Sequence, residues 1–308
     1  MYKLAAIVGP TAVGKTSTSI KVAQTINAEI ISCDSMQIYK DMNIGTAKAS
    51  PDEQAMVPHH LIDFVKPDED FSVAQYQKIA KQLVCDLNAV DKVPLLVGGT
   101  GLYFQSLVDD YAFFPLESRQ KVRDRLNQII EDRGMDFVYK HLASIDPVYA
   151  AKISANDQKR IVRALEVYEL TGESFSSQQR KRENTYNLAL VGLYLERPAL
   201  YKRIDLRVDE MLKGGLIEEV QTLREQGYDL SLNSMQALGY KQVYNYLEGF
   251  ISGEQMSEEI KRETRRYAKR QYTWFNKDKR IHWINVQEYP NDDELARKIS
   301  VYIGRTIN

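Results

Sequence analysis

Hydrophobic positions in this chain come first in short unbroken runs and later at helical spacing. "KLAAIVG" (3–9), "EIISCDS" (29–35) and "VPLLVGGT" (93–100) are apolar runs of strand length. Each reads as a strand buried on both faces, as in a parallel sheet. Pro94 fits the start of such a strand, where no ladder donor is needed. Between the runs the period lengthens. Ile20, Ala23 and Ile26 predict a helix from about Gly14 to Asn27. Ser72 and Gln75 have capping-box spacing, and Val73, Tyr76, Ala80, Leu83 and Leu87 supply the apolar stripe that follows. The alternation is that of a doubly wound α/β fold with a parallel sheet.

From about Ser118 to Arg182 the pattern carries helix signals and no good strand. Asp146-Pro147 is a cap followed by proline at the first helical position. Asn156 is expected to cap "DQKRIVRALEVYELT", and Gly172 to end it. Strand character returns with "NLALVGLYL" (187–195). The remainder reads as four helices, "RPALYKRIDLRVDEMLKGG", "LIEEVQTLREQG", "ALGYKQVYNYLEG" and "SGEQMSEEIKRETRRYAKRQYTWF", then a short strand "RIHWINV" and a last helix. A helical block between two strands of one sheet is an insertion. The expected division is a core of residues 1–111 and 189–308 with a helical C-terminal region, and an inserted all-helical domain of residues 112–188.

Composition changes this picture little, and charge changes it more. With 308 residues there is room for more than one domain. The net charge is −1, so the total implies no polyanionic partner, but the distribution does. In "KRETRRYAKRQYTWFNKDKR" (261–280), Arg262, Arg265, Arg266 and Lys269 share a broad helical face, interleaved with Tyr267, Tyr272, Trp274 and Phe275. That composition suits a surface that tracks phosphates and stacks bases, and equally a solvated helix whose aromatics are core. Arg119, Lys121, Arg123 and Arg125, with "QKRIVR" at 158–163, form a second cluster; two such clusters favour an RNA-sized partner. Cys33 and Cys85 have no metal or disulfide spacing, which fits a reducing cytosol. No apolar run reaches membrane-spanning length, so a cytoplasmic protein without membrane association is expected. His59 and His60 lack a third ligand at sensible spacing, which favours a hydrogen-bonded structural role.

The chemistry is most legible at "GPTAVGKT" (9–16), which fits G-x-x-x-x-G-K-[ST] at Gly9, Gly14, Lys15 and Thr16. The turn runs through Pro10, Thr11, Ala12 and Val13; its backbone N–H groups, which Pro10 lacks, and the following helix N-terminus suit phosphate oxygens. Lys15 adds a point charge, and Thr16 is positioned to ligate Mg²⁺. An ordinary P-loop NTPase carries an acid at the end of another core strand. Here that strand ends "LLVGGTGLY". The available carboxylate is Asp34, after the second strand and on the same sheet edge. It can take a proton from an acceptor nucleophile, or be a solvated turn residue or an outer Mg²⁺ ligand. This favours a group transferase over a motor.

"GPTAVGKT", "ISCDSMQIYKDMNIGTAK", "PHHLID", "VGGTGLYFQSL", "DPVYAAKI", "NDQKRIVRALEVYELTG", "ALGYKQ" and "AKRQYTWF" occur in this order over nearly the whole chain. Together they make the sequence resemble the tRNA dimethylallyltransferases, also called tRNA isopentenyltransferases. The resemblance implies a P-loop NTPase-like fold. It also implies transfer of a dimethylallyl group from its diphosphate to N6 of the adenosine immediately 3′ of the anticodon. By the same resemblance, residues 11–16 would bind the diphosphate with Mg²⁺, and Asp34 would accept the N6 proton. Ser35, Met36, Gln37, Thr100, Arg123, Gln158, Lys159, Arg160, Ile161 and Val162 would contact the tRNA. Arg203 and Arg207 are candidate diphosphate clamps. Nothing points to an obligate protein partner, and the lack of a C-terminal zinc finger implies the bacterial type. Two rivals share the cradle. A kinase of a small acceptor, or a transferase acting on free adenine nucleotides, needs neither the insert nor the basic helix. An ATP-gated RNA-binding protein would need the missing acid.

Overall fold

The computed structural model describes residues 1–111, 113, 119–178 and 185–307. The chain begins β1 (Tyr2–Val8), α1 (Lys15–Thr25), β2 (Ala28–Cys33), α2 (Pro51–Met56), β3 (His59–His60), α3 (Val73–Ala89), β4 (Val93–Gly98) and α4 (Gly101–Val108). Next come α5 (Arg119–Arg133), α6 (Met135–Ile145), α7 (Pro147–Ala150), α8 (Gln158–Thr171) and α9 (Phe175–Gln178). The chain then runs through β5 (Tyr186–Tyr194), α10 (Arg197–Lys213), α11 (Leu216–Glu225), α12 (Tyr240–Leu247), α13 (Gly253–Phe275), β6 (His282–Asn285) and α14 (Asp292–Ile307). Two compact units result, one of Met1–Val108 with Asn184–Asn308 and one of Asp109–Glu183. Residues 186–188, assigned to the insert from sequence, pair with β1 and belong to the sheet. Ser118, Arg182 and residue 112, expected limits of the helical interval, lie outside the described residues.

The first unit is built on a sheet of strand order β3-β2-β4-β1-β5-β6, every pair parallel. Its central strand shows why. Leu4, Ala6 and Val8 point into one core with α3 and α4, while Ala5 and Ile7 point into another with α1 and α14. A strand covered on both faces has no polar side, which is the unbroken run seen in the sequence. Val8, Gly98 and Cys33 stand in register across β1, β4 and β2. Those strands therefore end together, and the loops after them share one edge of the sheet. A third core joins the 38–42 stretch to α11, α12 and the first half of α13.

Several local expectations meet their physics here. The Ser72 capping box forms in full, and Asp146 caps α7 ahead of Pro147. Gly172 ends α8 in the left-handed region at φ 73°. The cap of α8 is Asp157, not Asn156, because the Asp157 carboxylate accepts the Arg160 N–H while Asn156 N–H is held by Ser154. β3 escaped the sequence reading because it is two histidines long. Each ring has a partner: His59 Nδ1 lies 2.8 Å from Val57 O and His60 Nε2 2.6 Å from Glu29.

On α13 the two readings separate residue by residue. Phe275 is 1% exposed, and Trp274 packs against the same core. The Tyr272 hydroxyl donates to Leu195 O. Withdrawing Phe275 to stack on a base would forfeit about 2–3 kcal/mol of burial. Arg265 donates twice to Asp205, Arg266 pairs with Glu263 and Lys261 with Asp209. This stretch is an ion-paired helix with core aromatics. Tyr267 is the exception among the aromatics and Arg270 among the cations, because both line the site cavity.

Candidate active site

The turn from β1 into α1 holds a set of unused donors. Gly14 is the N-cap of α1 at φ 101°, a conformation that L side chains rarely adopt, and it supplies no side-chain cap. The first N–H groups of α1 therefore face outward for an anion. Val13 is fully buried, so its side chain anchors the turn and only its backbone faces a ligand. Lys15 folds back over the turn, with Nζ donating to Gly9 O (3.0 Å) and Pro10 O (2.7 Å). Loss of water, then the nearby Arg207 cation, pulls its amine down to about 7.

The end of β4 explains the missing acid. Gln271, from α13, accepts from Thr11 N–H (2.9 Å) and donates to Gly99 O (3.0 Å). A Cβ on Gly99 would fall 2.1 Å from its Nε2. A neutral amide thus ties the phosphate turn to β4 where an acid stands in motor proteins. Sequence reasoning missed Gln271. Its only signal was its place in "AKRQYTWF", which carried the family resemblance but gave Gln271 no role of its own.

Asp34 follows Cys33 at the same sheet edge, and its Oδ1 accepts from Met36 N–H at 2.9 Å. Burial raises the Cys33 thiol far above its usual range, so it is no nucleophile. Ser35 N–H donates to Thr100 Oγ1 (3.0 Å), so Thr100 buttresses the Asp34 turn. Gln37 donates to Thr46 O (3.3 Å) and Ala47 O (3.1 Å) and accepts from Ser32 Oγ (3.1 Å).

These groups line one cavity of about 690 Å³, within the range of ligand sites. Lys15, Thr16, Asp34, Gln37, Arg207 and Tyr267 belong to its polar lining, as do Glu53 and Arg270, and Ile204, Val208, Met211 and Ile260 make an apolar wall. Arg207 is drawn below its usual value by burial, opposed by Asp34 and Glu210. Tyr267 is raised by burial and then by Asp34, so its phenol keeps its proton beside that carboxylate. Arg203 is exposed and donates to Val13 O (3.3 Å); it does not line the cavity.

In the second unit α5, α6 and α8 enclose a separate core. Gln158, Lys159 and Arg160 are exposed on the first turn of α8. Ile161 and Val162, expected with Gln158 to Arg160 at the tRNA surface, have side chains 0% and 8% exposed in that core. Arg123 Nε lies 2.6 Å from the fully buried Glu166, which also accepts from Arg163 Nη1 at 2.5 Å. Among the described residues no three His, Cys, Asp or Glu gather into a metal site, and no helix is long and apolar enough to cross a membrane.

The model of the IPP transferase family matches residues 37–278. A "tRNA dimethylallyltransferase" of Syntrophomonas wolfei is 64% identical over 98% of both chains, and one of Alkaliphilus oremlandii 48% identical over 96% of both. With 98% of the chain covered, the first of these matches extends over the phosphate turn and Asp34, which lie before the family model begins. Among solved structures, the tRNA isopentenylpyrophosphate transferase of Bacillus halodurans superposes with TM-score 0.76 at 40% identity, covering 100% of this chain and 97% of its own. A eukaryotic dimethylallyltransferase described as acting on tRNA gives TM-score 0.81 at 30% identity, but only 78% of it is covered. The chain belongs to the IPP transferase family, as a bacterial-type tRNA dimethylallyltransferase.

Proposed function

We propose that this enzyme transfers a dimethylallyl group from dimethylallyl diphosphate to N6 of the adenosine immediately 3′ of the anticodon in a tRNA, releasing diphosphate. One observation carries the reading: a phosphate turn, the Asp34 carboxylate at the same sheet edge and an apolar wall line the same cavity. The diphosphate lies on the backbone N–H groups of residues 12–16, since Pro10 has none and that of Thr11 is held by Gln271, with Lys15 and Arg207 as its counter-charges. The branched hydrocarbon lies against Ile204, Val208 and Met211, worth about 0.8 kcal/mol per carbon buried.

The acceptor nitrogen attacks C1 as the C1–O bond breaks. The bond's electron pair leaves with the diphosphate, the N6–C1 bond forms, and the N6 proton passes to Asp34. Tyr267 holds a hydrogen-bond donor beside that carboxylate. A stacked adenine cannot reach this point, so the base is extruded at a cost of a few kcal/mol. Ser35, Met36 and Gln37 receive it, with Thr100 behind Ser35. Gln158, Lys159, Arg160 and Arg123 meet the anticodon stem-loop.

The donor set suits Mg²⁺ that arrives with the diphosphate, since that ion keeps most of its waters and needs only one or two protein oxygens. Thr16 would be that ligand, and the bound ion would supply charge neutralisation for the leaving group. The test is incubation with labelled dimethylallyl diphosphate, Mg²⁺ and unmodified tRNA, beside an ATP control. Label in the tRNA is expected. Label transfer from ATP, or from neither donor, would sink the reading.

A further inference from the structure

Glu219 lies in the first turn of α11 and does not line the cavity. Its Oε2 accepts from Asn43 N–H (2.9 Å) and Ile44 N–H (2.8 Å), and its Oε1 from Gly45 N–H (3.2 Å) and the Tyr240 hydroxyl (2.6 Å). Three consecutive backbone donors turned to one centre form an anion nest, filled here by a side chain from elsewhere in the chain. Tyr240 is fully buried, and burial first, then Glu219, raise its phenol, so the hydroxyl stays a donor. A Cβ on Gly45 would stand 2.4 Å from the Tyr240 ring. Only glycine lets loop and ring approach this closely.

The far side of this loop is a cavity wall. Gly45, Thr46, Ala47 and Lys48 line it, and the carbonyls of Thr46 and Ala47 take both hydrogen bonds donated by Gln37 Nε2. A connected path therefore runs from the Glu219 carboxylate through the amides of 43–45 to the Gln37 carboxamide, three residues beyond Asp34. Among the described residues no hydrogen bond or ion pair joins this path to Lys15, Thr16 or Arg207.

We infer that Glu219, with Tyr240, is a positioning residue for the acceptor: it clamps the 43–48 loop so that Gln37 presents a fixed face to the incoming base. The inference rests on the transfer reaction proposed above. It assigns an effect to one substrate only, which a general role in folding would not produce.

The test uses the full chain with Glu219→Gln, which keeps the shape but turns an amide donor toward the nest, and Tyr240→Phe, which removes one donor of four. In Glu219→Gln, half-saturation by tRNA in single-turnover transfer is expected to rise about tenfold, as charge-assisted bonds give way to neutral ones. Half-saturation by dimethylallyl diphosphate should stay within about twofold, as the path bypasses the phosphate turn. Tyr240→Phe should raise the tRNA value about threefold, which keeps the question open to test if Glu219→Gln fails to fold. Amide hydrogen exchange at residues 43–45 should speed up in Glu219→Gln. Unchanged tRNA half-saturation in both variants, equal shifts for both substrates, or unaltered exchange would overturn the assignment. A wild-type enzyme that transfers nothing would instead overturn the reaction itself, leaving the exchange result to judge the clamp.

Discussion

The two units hold their charges in opposite ways. In the first, Lys15, Arg207 and Asp34 share one cavity, and burial has moved both cations below their usual values. In the second, Lys159 and Arg160 stand in solvent, and the fully buried ion is an acid, Glu166, with guanidinium groups drawn onto it. The difference follows from the tasks. Stabilising a leaving diphosphate needs charges fixed where water is excluded, since there they act at full strength. Holding an RNA backbone needs hydrated cations whose counterions are released on contact. A cation can serve either task well, and its exposure tells which.

The largest effect tests the interior site. Asp34→Asn should slow single-turnover transfer by about 10²–10⁴, the usual worth of a positioned general base, while tRNA binding stays near wild type. Near-normal transfer would remove Asp34 as the proton acceptor and turn attention to Glu53, the other carboxylate lining the cavity. In the second unit, Arg123→Ala with Arg163→Ala strips Glu166 of two cationic partners. The loss expected for a buried carboxylate deprived of its partners is about 3–5 kcal/mol in urea unfolding. Adding Glu166→Leu should recover much of it, because the buried charge is then gone. No recovery would mean that Arg123 and Arg163 matter for something other than neutralising Glu166. Arg123 therefore has a structural duty beside any contact with RNA.

What the sequence disclosed divides along the same line. The sheet was legible because a strand covered on both faces must be apolar without a break, and the cradle because its glycines and Lys15 have a fixed spacing. Asp34 was legible from chain order alone, since parallel strands bring their ends to one edge. Hidden were the side chains that arrive from far along the chain. Gln271 reaches the phosphate turn across 260 positions, and a buried glutamine in a run of cations gives no local signal. Tyr267 looked like its neighbours Tyr272 and Phe275, and only the helix's docking separates them. Ile161 and Val162 were hidden in the other direction: their motif is contiguous, but a helix turns every third or fourth residue toward the core, and their burial shows only there.

Lys15 sharpens the contrast through pH. Its free-enzyme amine sits at about 7, so above that pH it is largely neutral, whereas a bound diphosphate favours the ammonium. Donor binding should therefore take up a proton above pH 7, and affinity should fall by up to about tenfold per pH unit as the pH rises further. Calorimetry in buffers of different ionisation enthalpy reads that proton directly. Lys15→Ala should bind the donor weakly and lose the dependence. A pH-independent affinity between 7 and 9 would mean that the ammonium is already charged in the free enzyme.

The smallest effect belongs to the exposed cations. Lys159→Ala with Arg160→Ala alters the first turn of α8, where both side chains are exposed, and Arg160 has only a loose pairing with Asp157 at 3.4 Å. Stability should change by less than about 0.5 kcal/mol, as for most surface substitutions. Binding of tRNA should weaken, and the slope of log affinity against log salt should flatten by about one unit for each phosphate no longer neutralised. Donor binding should not move, because both residues lie in the unit that lacks the cavity. Filter binding across a salt series, beside a donor titration, separates the two. An unchanged slope would make this turn an ordinary solvated surface. Phosphate recognition would then fall to other exposed cations, with Lys121 and Arg125 on α5 the next pair to replace.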